Sequence, residues 1–102
     1  MPLYRLTSPA LRDLARIMNW LTREAGPATA IRMEDSLFKA FELLAKNPGI
    51  GHSRSDLTPR EVLFHPVRPY VVVYEPGASP MLIHAILHGA RDSKTILRSR
   101  LR

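Results

Sequence analysis

The chain has 102 residues, no cysteine, and 15 Lys+Arg against 9 Asp+Glu, a formal net charge of +6. That length suits one domain spanning residues 1–102, and the lack of cysteine excludes a disulfide scaffold, thiolate zinc sites and a cysteine nucleophile. No apolar run approaches the ~18 residues of a membrane span, and Met1-Pro2-Leu3-Tyr4-Arg5 lacks the layout of a signal peptide, so a cytoplasmic protein without a membrane partner is expected.

Leu3-Tyr4-Arg5-Leu6 alternates as a short strand. Thr7-Ser8-Pro9 then reads as a helix start, with Ser8 as N-cap and Pro9 at the first helical position. Leu11, Leu14, Ile17, Met18 and Leu21 recur at helical spacing until Gly26-Pro27. A second helix carries Ala30, Met33, Leu37, Ala40 and Leu44, widened by Phe38 and Phe41, and stops at Asn47-Pro48-Gly49. So short a connection makes the two helices antiparallel.

After a polar loop over 50–59 come three strand candidates, Glu61–His65, Tyr70–Tyr74 and Met81–His88. The run Tyr70-Val71-Val72-Val73-Tyr74 is apolar at every position, as in a strand covered on both faces. Glu75–Pro80 supplies the turn of a hairpin, and Asp92 is placed to cap a short last helix through Leu97. The expected fold is α+β: an N-terminal strand and an αα-hairpin packed on an antiparallel sheet, in the order β-αα-βββ, with a possible short C-terminal helix. Val71, Val73, Ile83 and Leu87 are the expected floor beneath the hairpin.

Chemistry-bearing motifs are few. The sequence has no GxSxG, P-loop, GxGxxG or HExxH. His84 and His88 are expected on one strand face, but four residues separate them by ~13 Å, too far to share a metal. No metal and no cofactor is expected. Glu34 falls inside the apolar stripe of the second helix, where a carboxylate needs a partner, and Arg60 and Arg68 are the candidates for a structural ion pair. On the first helix Arg12, Arg16, Asn19 and Arg23 cluster opposite the apolar stripe, with Trp20 at the boundary. This reads either as a solvated basic face with Trp20 covering the hairpin edge or as a contact surface rich in the side chains of interface anchors. From Arg91 onward five cations (Arg91, Lys94, Arg98, Arg100, Arg102) face one anion, Asp92, which suits an anionic partner, nucleic acid or acidic protein.

Three segments in order resemble one known family. Asn47–Leu57 reads as NPxxGxxRxDL, Val67-Arg68-Pro69-Tyr70 through Tyr74 as V-x-x-Y-x-x-x-Y, and Ile86–Asp92 resembles V-L-H-G-x-R-D. Together with the preceding hairpin they resemble the ParE/RelE superfamily toxins of type II toxin–antitoxin modules, on the ParE branch. The resemblance implies a RelE/ParE-like fold and inhibition of DNA gyrase by binding rather than catalysis. It also implies a ribbon-helix-helix (ParD-like) antitoxin as partner, with operator DNA bound only through the complex.

The alternative it carries is a ribosome-dependent mRNA endoribonuclease of the RelE type. That branch has an arginine where Val71 stands and a tyrosine where Leu97 stands, leaving Arg91 as the one catalytic candidate. One cation can stabilise a phosphorane but cannot also activate the hydroxyl and protonate the leaving oxygen. A third reading is a toxin fold kept as an antitoxin-binding corepressor. The ParE pattern also carries an arginine where Ala85 stands. Leu14, Met18, Trp20 and Leu21 are the antitoxin-binding candidates, and Arg12, Arg16, Arg91, Arg98 and Arg100 the target-binding candidates.

Overall fold

A computed structural model describes residues 3–89 and 93–101. Its elements are β1 (Tyr4–Leu6), α1 (Ser8–Ala25), α2 (Pro27–Lys46), a single 3-10 turn (Pro48–Ile50), β2 (Leu63–Val67), β3 (Tyr70–Glu75), β4 (Met81–His88) and α3 (Ser93–Arg100). The α+β order of strand, helical hairpin and sheet is the one the sequence predicts. The Asp92 cap lies outside the described residues.

The N-cap of α1 is Thr7 rather than Ser8. Thr7 still belongs to the strand lane, its N–H donating to Ile83 O at 3.0 Å. Its extended ψ of 162° turns the Oγ1 to accept from Ala10 N at 3.3 Å. At the other end Gly26 closes one helix and opens the next. Its N–H donates to Thr22 O and its own carbonyl accepts from Ala30, both at 3.2 Å. That double role needs φ +93°, which a residue with a Cβ rarely adopts.

The sheet order is β1-β4-β3-β2. β2, β3 and β4 form the expected antiparallel meander, while β1 joins parallel to β4, so the sheet is mixed. The helical hairpin carries the chain from β1 at one edge to β2 at the other, and two antiparallel reversals then bring β4 back beside β1 in the parallel sense. β2 lies two residues later than the sequence suggests. Pro66 is tolerated in it because β2 is an edge strand, and the bridge His52–Phe64 covers part of that edge.

The hairpin packs on one sheet face through Leu14, Leu21, Leu37, Phe41 and Leu44 against Tyr70, Val72, Tyr74, Ile83 and Ile86. The opposite face buries Val62, Phe64, Val73, Ala85 and Leu87 beneath Leu97 of α3. Val72 and Val73 are both fully buried, as expected of a strand covered on both sides. The expected hairpin floor is corrected in part. Ile83 is there, but Val71, Val73 and Leu87 face α3, because an all-apolar strand carries no alternation to set its parity. Leu11, expected in the α1 stripe, is 54% exposed, and Ala10 takes its place in the core.

The loop after α2 is tied to the sheet by one side chain. The Tyr74 hydroxyl accepts from Gly51 N at 2.9 Å and donates to Pro48 O at 2.6 Å. Burial raises the Tyr74 pKa, an effect that the Gly51 bond partly offsets. A Cβ on Gly51 would stand 2.5 Å from that hydroxyl, so glycine is required for the approach. Tyr74→Phe is therefore expected to lower stability by about 1–3 kcal/mol, since two part-buried backbone groups lose their partner. Urea denaturation checks this, and a loss below about 0.5 kcal/mol would show that the loop is held by other contacts.

Candidate functional site

β1 ends at Leu6, but β4 continues to His88, so part of its edge has no strand neighbour beyond Ile83. Asp13 of α1 fills the gap. It is 5% exposed, and its Oδ2 accepts the Ile86 N–H at 3.0 Å. Arg100 of α3 reaches the same carboxylate with both terminal nitrogens, at 2.5 Å to Oδ2 and 3.2 Å to Oδ1, and also donates to His84 O at 3.3 Å. Arg16 donates to Oδ1 at 2.8 Å from the solvent side. A buried carboxylate with four donors is fully compensated, and no buried side-chain polar atom among the described residues lacks a partner.

Next to this anchor a groove of about 870 Å³ lies between α1 and the end of the sheet, lined by Arg16, Ile17, Asn19, Trp20, Thr22, Arg23, Tyr70 and His88. Trp20 is 50% exposed and Arg16 keeps 70% of its side chain in solvent, so an aromatic and a cation are displayed at the groove. On the sheet side Tyr70 and His88 meet edge to face, with centroids 5.4 Å apart at 81°. Desolvation raises the Tyr70 pKa, further favouring the neutral phenol. The groove therefore combines apolar and aromatic surface with positive charge at its rim, the composition of a peptide- or protein-binding site.

The sequence-derived candidates separate in the structure. Leu14 and Leu21 are buried core, and Met18 is partly buried against it, so Trp20 is the member of that set displayed in the groove. Arg12, Arg16 and Arg98 are exposed, while Arg91 lies outside the described residues. Arg100, expected at a target-binding surface, is instead 16% exposed and bound to Asp13. Glu34 is half-buried, and no ion pair joins it to Arg60 or Arg68, both of which are exposed. The buried, paired carboxylate of this fold is Asp13.

His84 and His88 do not share a face. The ladder pairs Tyr74 with Ile83 and Val73 with Ala85, so His84 is a bulged extra residue that reverses the side-chain parity of β4. His88 joins Tyr70 at the groove, whereas His84 Nε2 lies 2.9 Å from Glu75 Oε1 in a second concavity of about 760 Å³. Among the described residues no three His, Asp or Glu side chains converge as metal ligands. Sequence reasoning missed Asp13, Tyr70 and His88 as site residues. The signal for Asp13 was its place three residues after Ala10 and beside Leu14, inside the buried stripe of α1.

A helical hairpin packed on a four-stranded sheet is the fold that the toxin resemblance of the sequence implies. The sequence profile of the family described as ParE toxin of type II toxin–antitoxin system, parDE, matches residues 4–93. The chain is 32% identical over 102 residues to the toxin ParE of Escherichia coli, covering all of this chain and 99% of that protein. Its fold is similar to a chain from the chromosomal ParDE toxin–antitoxin system of P. aeruginosa, with a TM-score of 0.71 and 19% identity over 84% of this chain and 94% of that one. The chain belongs to the ParE toxins of type II toxin–antitoxin systems.

Asp13 tests the anchor. Asp13→Ala should destabilise the fold by about 3–5 kcal/mol, because it leaves the Arg100 guanidinium buried without its anion. Arg100→Ala should cost a similar amount, and the double variant less than the two single losses together. Additive losses in denaturant unfolding would show that the two side chains act independently.

Proposed function

We propose that this toxin inhibits DNA gyrase by binding and is neutralised by a ribbon-helix-helix antitoxin of the ParD type. The acidic C-terminal segment of that antitoxin fills the groove between α1 and the end of the sheet. The observation that carries this reading is the groove itself, with Trp20, Ile17, Tyr70 and His88 framed by Arg16 and Arg23. A cationic rim favours an acidic segment and speeds its encounter, and the aromatic surface gives apolar anchors somewhere to bind. A chain that orders only on binding can follow such a surface around the molecule.

Two further residues support binding over bond cleavage. Val71 and Leu97 stand where the ribonuclease branch carries arginine and tyrosine. Both are packing residues here, Leu97 of α3 fully buried against the sheet and Val71 packed against the same cluster. Neither offers a group that could move a proton or stabilise a phosphorane. The toxin acts in the cytoplasm, where gyrase and its DNA are found, and no helix among the described residues is long and apolar enough to cross a membrane. Operator DNA is reached through the antitoxin.

Purified toxin is expected to block gyrase supercoiling and to accumulate cleaved, gyrase-linked DNA, and to leave messenger on translating ribosomes intact. Cut messenger with unaffected gyrase would replace this reading with the endoribonuclease one. Trp20→Ala should weaken antitoxin binding by about 30-fold or more, the loss typical of an aromatic hot spot. Its effect on unfolding free energy should stay within about 0.5 kcal/mol, since the side chain is half exposed. Calorimetric titration and thermal melts on one preparation separate the two effects.

A further inference from the structure

The sheet divides the molecule, and the face away from the groove has a charge pattern of its own. There α3 lies over Val73, Ala85 and Leu87, and a cleft of about 350 Å³ opens between it and the loop before β2. Leu57, Leu97 and Leu101 contribute its apolar lining, and the charged side chains around it are Arg60, Lys94 and Arg98. All three are exposed, and among the described residues none has a carboxylate within ion-pair distance. The carboxylate nearest them, Asp56, feels the charge of Lys94 but is held by Arg54 through bonds of 2.9 and 2.8 Å. Lys94 and Arg98 are one helical turn apart on the same side of α3, and Arg60 faces them from the loop. Cations of one sign around an apolar floor focus their field outward, where an anion meets it.

We infer that this face binds the phosphate backbone of duplex DNA, independently of the groove and without reading sequence. Charge complementarity selects a polyanion. The choice of a duplex over a single strand follows from what the face lacks. Single-stranded nucleic acid is held by stacking its bases on exposed aromatic rings. Among the described residues the large exposed aromatic side chains are Trp20 and Phe38, both on the helical hairpin across the sheet. Three cations and no stacking platform can neutralise phosphates but cannot hold unpaired bases. The surface is separate from the groove, so an antitoxin lying there would leave it open. A toxin bound to a DNA-handling enzyme could then touch the DNA as well as the protein. The inference goes beyond the gyrase reading and stands or falls apart from it.

The test is fluorescence anisotropy of the full chain with a labelled 20-base-pair duplex of arbitrary sequence, at salt from 50 to 200 mM. Three phosphate contacts predict an affinity loss of about 40-fold over that range. A Lys94→Ala/Arg98→Ala variant should bind every duplex more weakly by a similar factor and lower the log–log salt slope by about 1.8. Arg32→Ala/Lys46→Ala removes the same charge from α2 and should change neither, and circular dichroism confirms that both variants fold. Equal losses from the two variants would reduce the effect to net charge and overturn the assignment. So would tighter binding to single-stranded RNA of the same length, or no binding at 50 mM salt. Inhibition of gyrase by the wild-type chain is read separately, so failure here leaves that reading untouched.

Discussion

The buried pairing of Asp13 with Arg100 is the contact on which the arrangement of this toxin depends. A parallel strand of three residues covers only part of an eight-residue neighbour, so β4 enters the helical layer with unpaired backbone groups. Water would satisfy them if the edge were open. It is closed by α1 on one side and by Arg100 from α3 on the other, and the bonds must come from side chains. Asp13 takes the Ile86 N–H and Arg100 takes the His84 carbonyl, and each then neutralises the other. A carboxylate buried to this degree would be costly alone, and so would the guanidinium. Together they replace the missing strand and join the first helix to the last across the sheet edge.

That junction also sets the groove. Asp13 holds α1 against β4 at Ile86, and one turn and more further along the helix Ile17, Trp20 and Arg23 line the groove with Tyr70 and His88. The bulge at His84 contributes from the sheet side. One extra residue reverses the parity of β4, so Ile86 and His88 share a face with the hairpin while Ala85 and Leu87 turn toward α3. Without the bulge His88 would point away from α1, and the groove would lose one of its ring walls. A backbone irregularity and a buried ion pair thus shape the groove.

Much of the architecture was legible in local pattern. Apolar spacing marks both helices, Gly26-Pro27 divides them, and the limits of β4 follow from turn residues on either side. Several features were not legible, each for a physical reason. Parity in β3 cannot be read from five consecutive apolar residues, and the bulge leaves no mark in composition. Asp13 and Arg100 are 87 positions apart, so nothing near either one announces the other. Glu34 drew attention as the acid within an apolar stripe, but its half-buried position lets water reach it and removes the need for a partner. Trp20 could be placed at a face boundary from the helical wheel. The groove beneath it required Tyr70 and His88 from strands some fifty residues and more away.

Arg16 connects the two parts of the molecule. It donates to the buried Asp13 carboxylate at 2.8 Å, yet most of its length lies in solvent along the groove wall. Arg100 already gives Asp13 two donors and Ile86 a third, so Arg16 is the partner that can leave at least expense to the core. An acidic segment entering the groove would draw this guanidinium outward without unpairing a buried charge. A cation held by an internal anion is also positioned before any partner arrives, so less side-chain freedom remains to be lost on binding. The carboxylate that completes the strand edge therefore also fixes a cation at the groove wall, so the stability of the fold and the shape of the groove share one side chain.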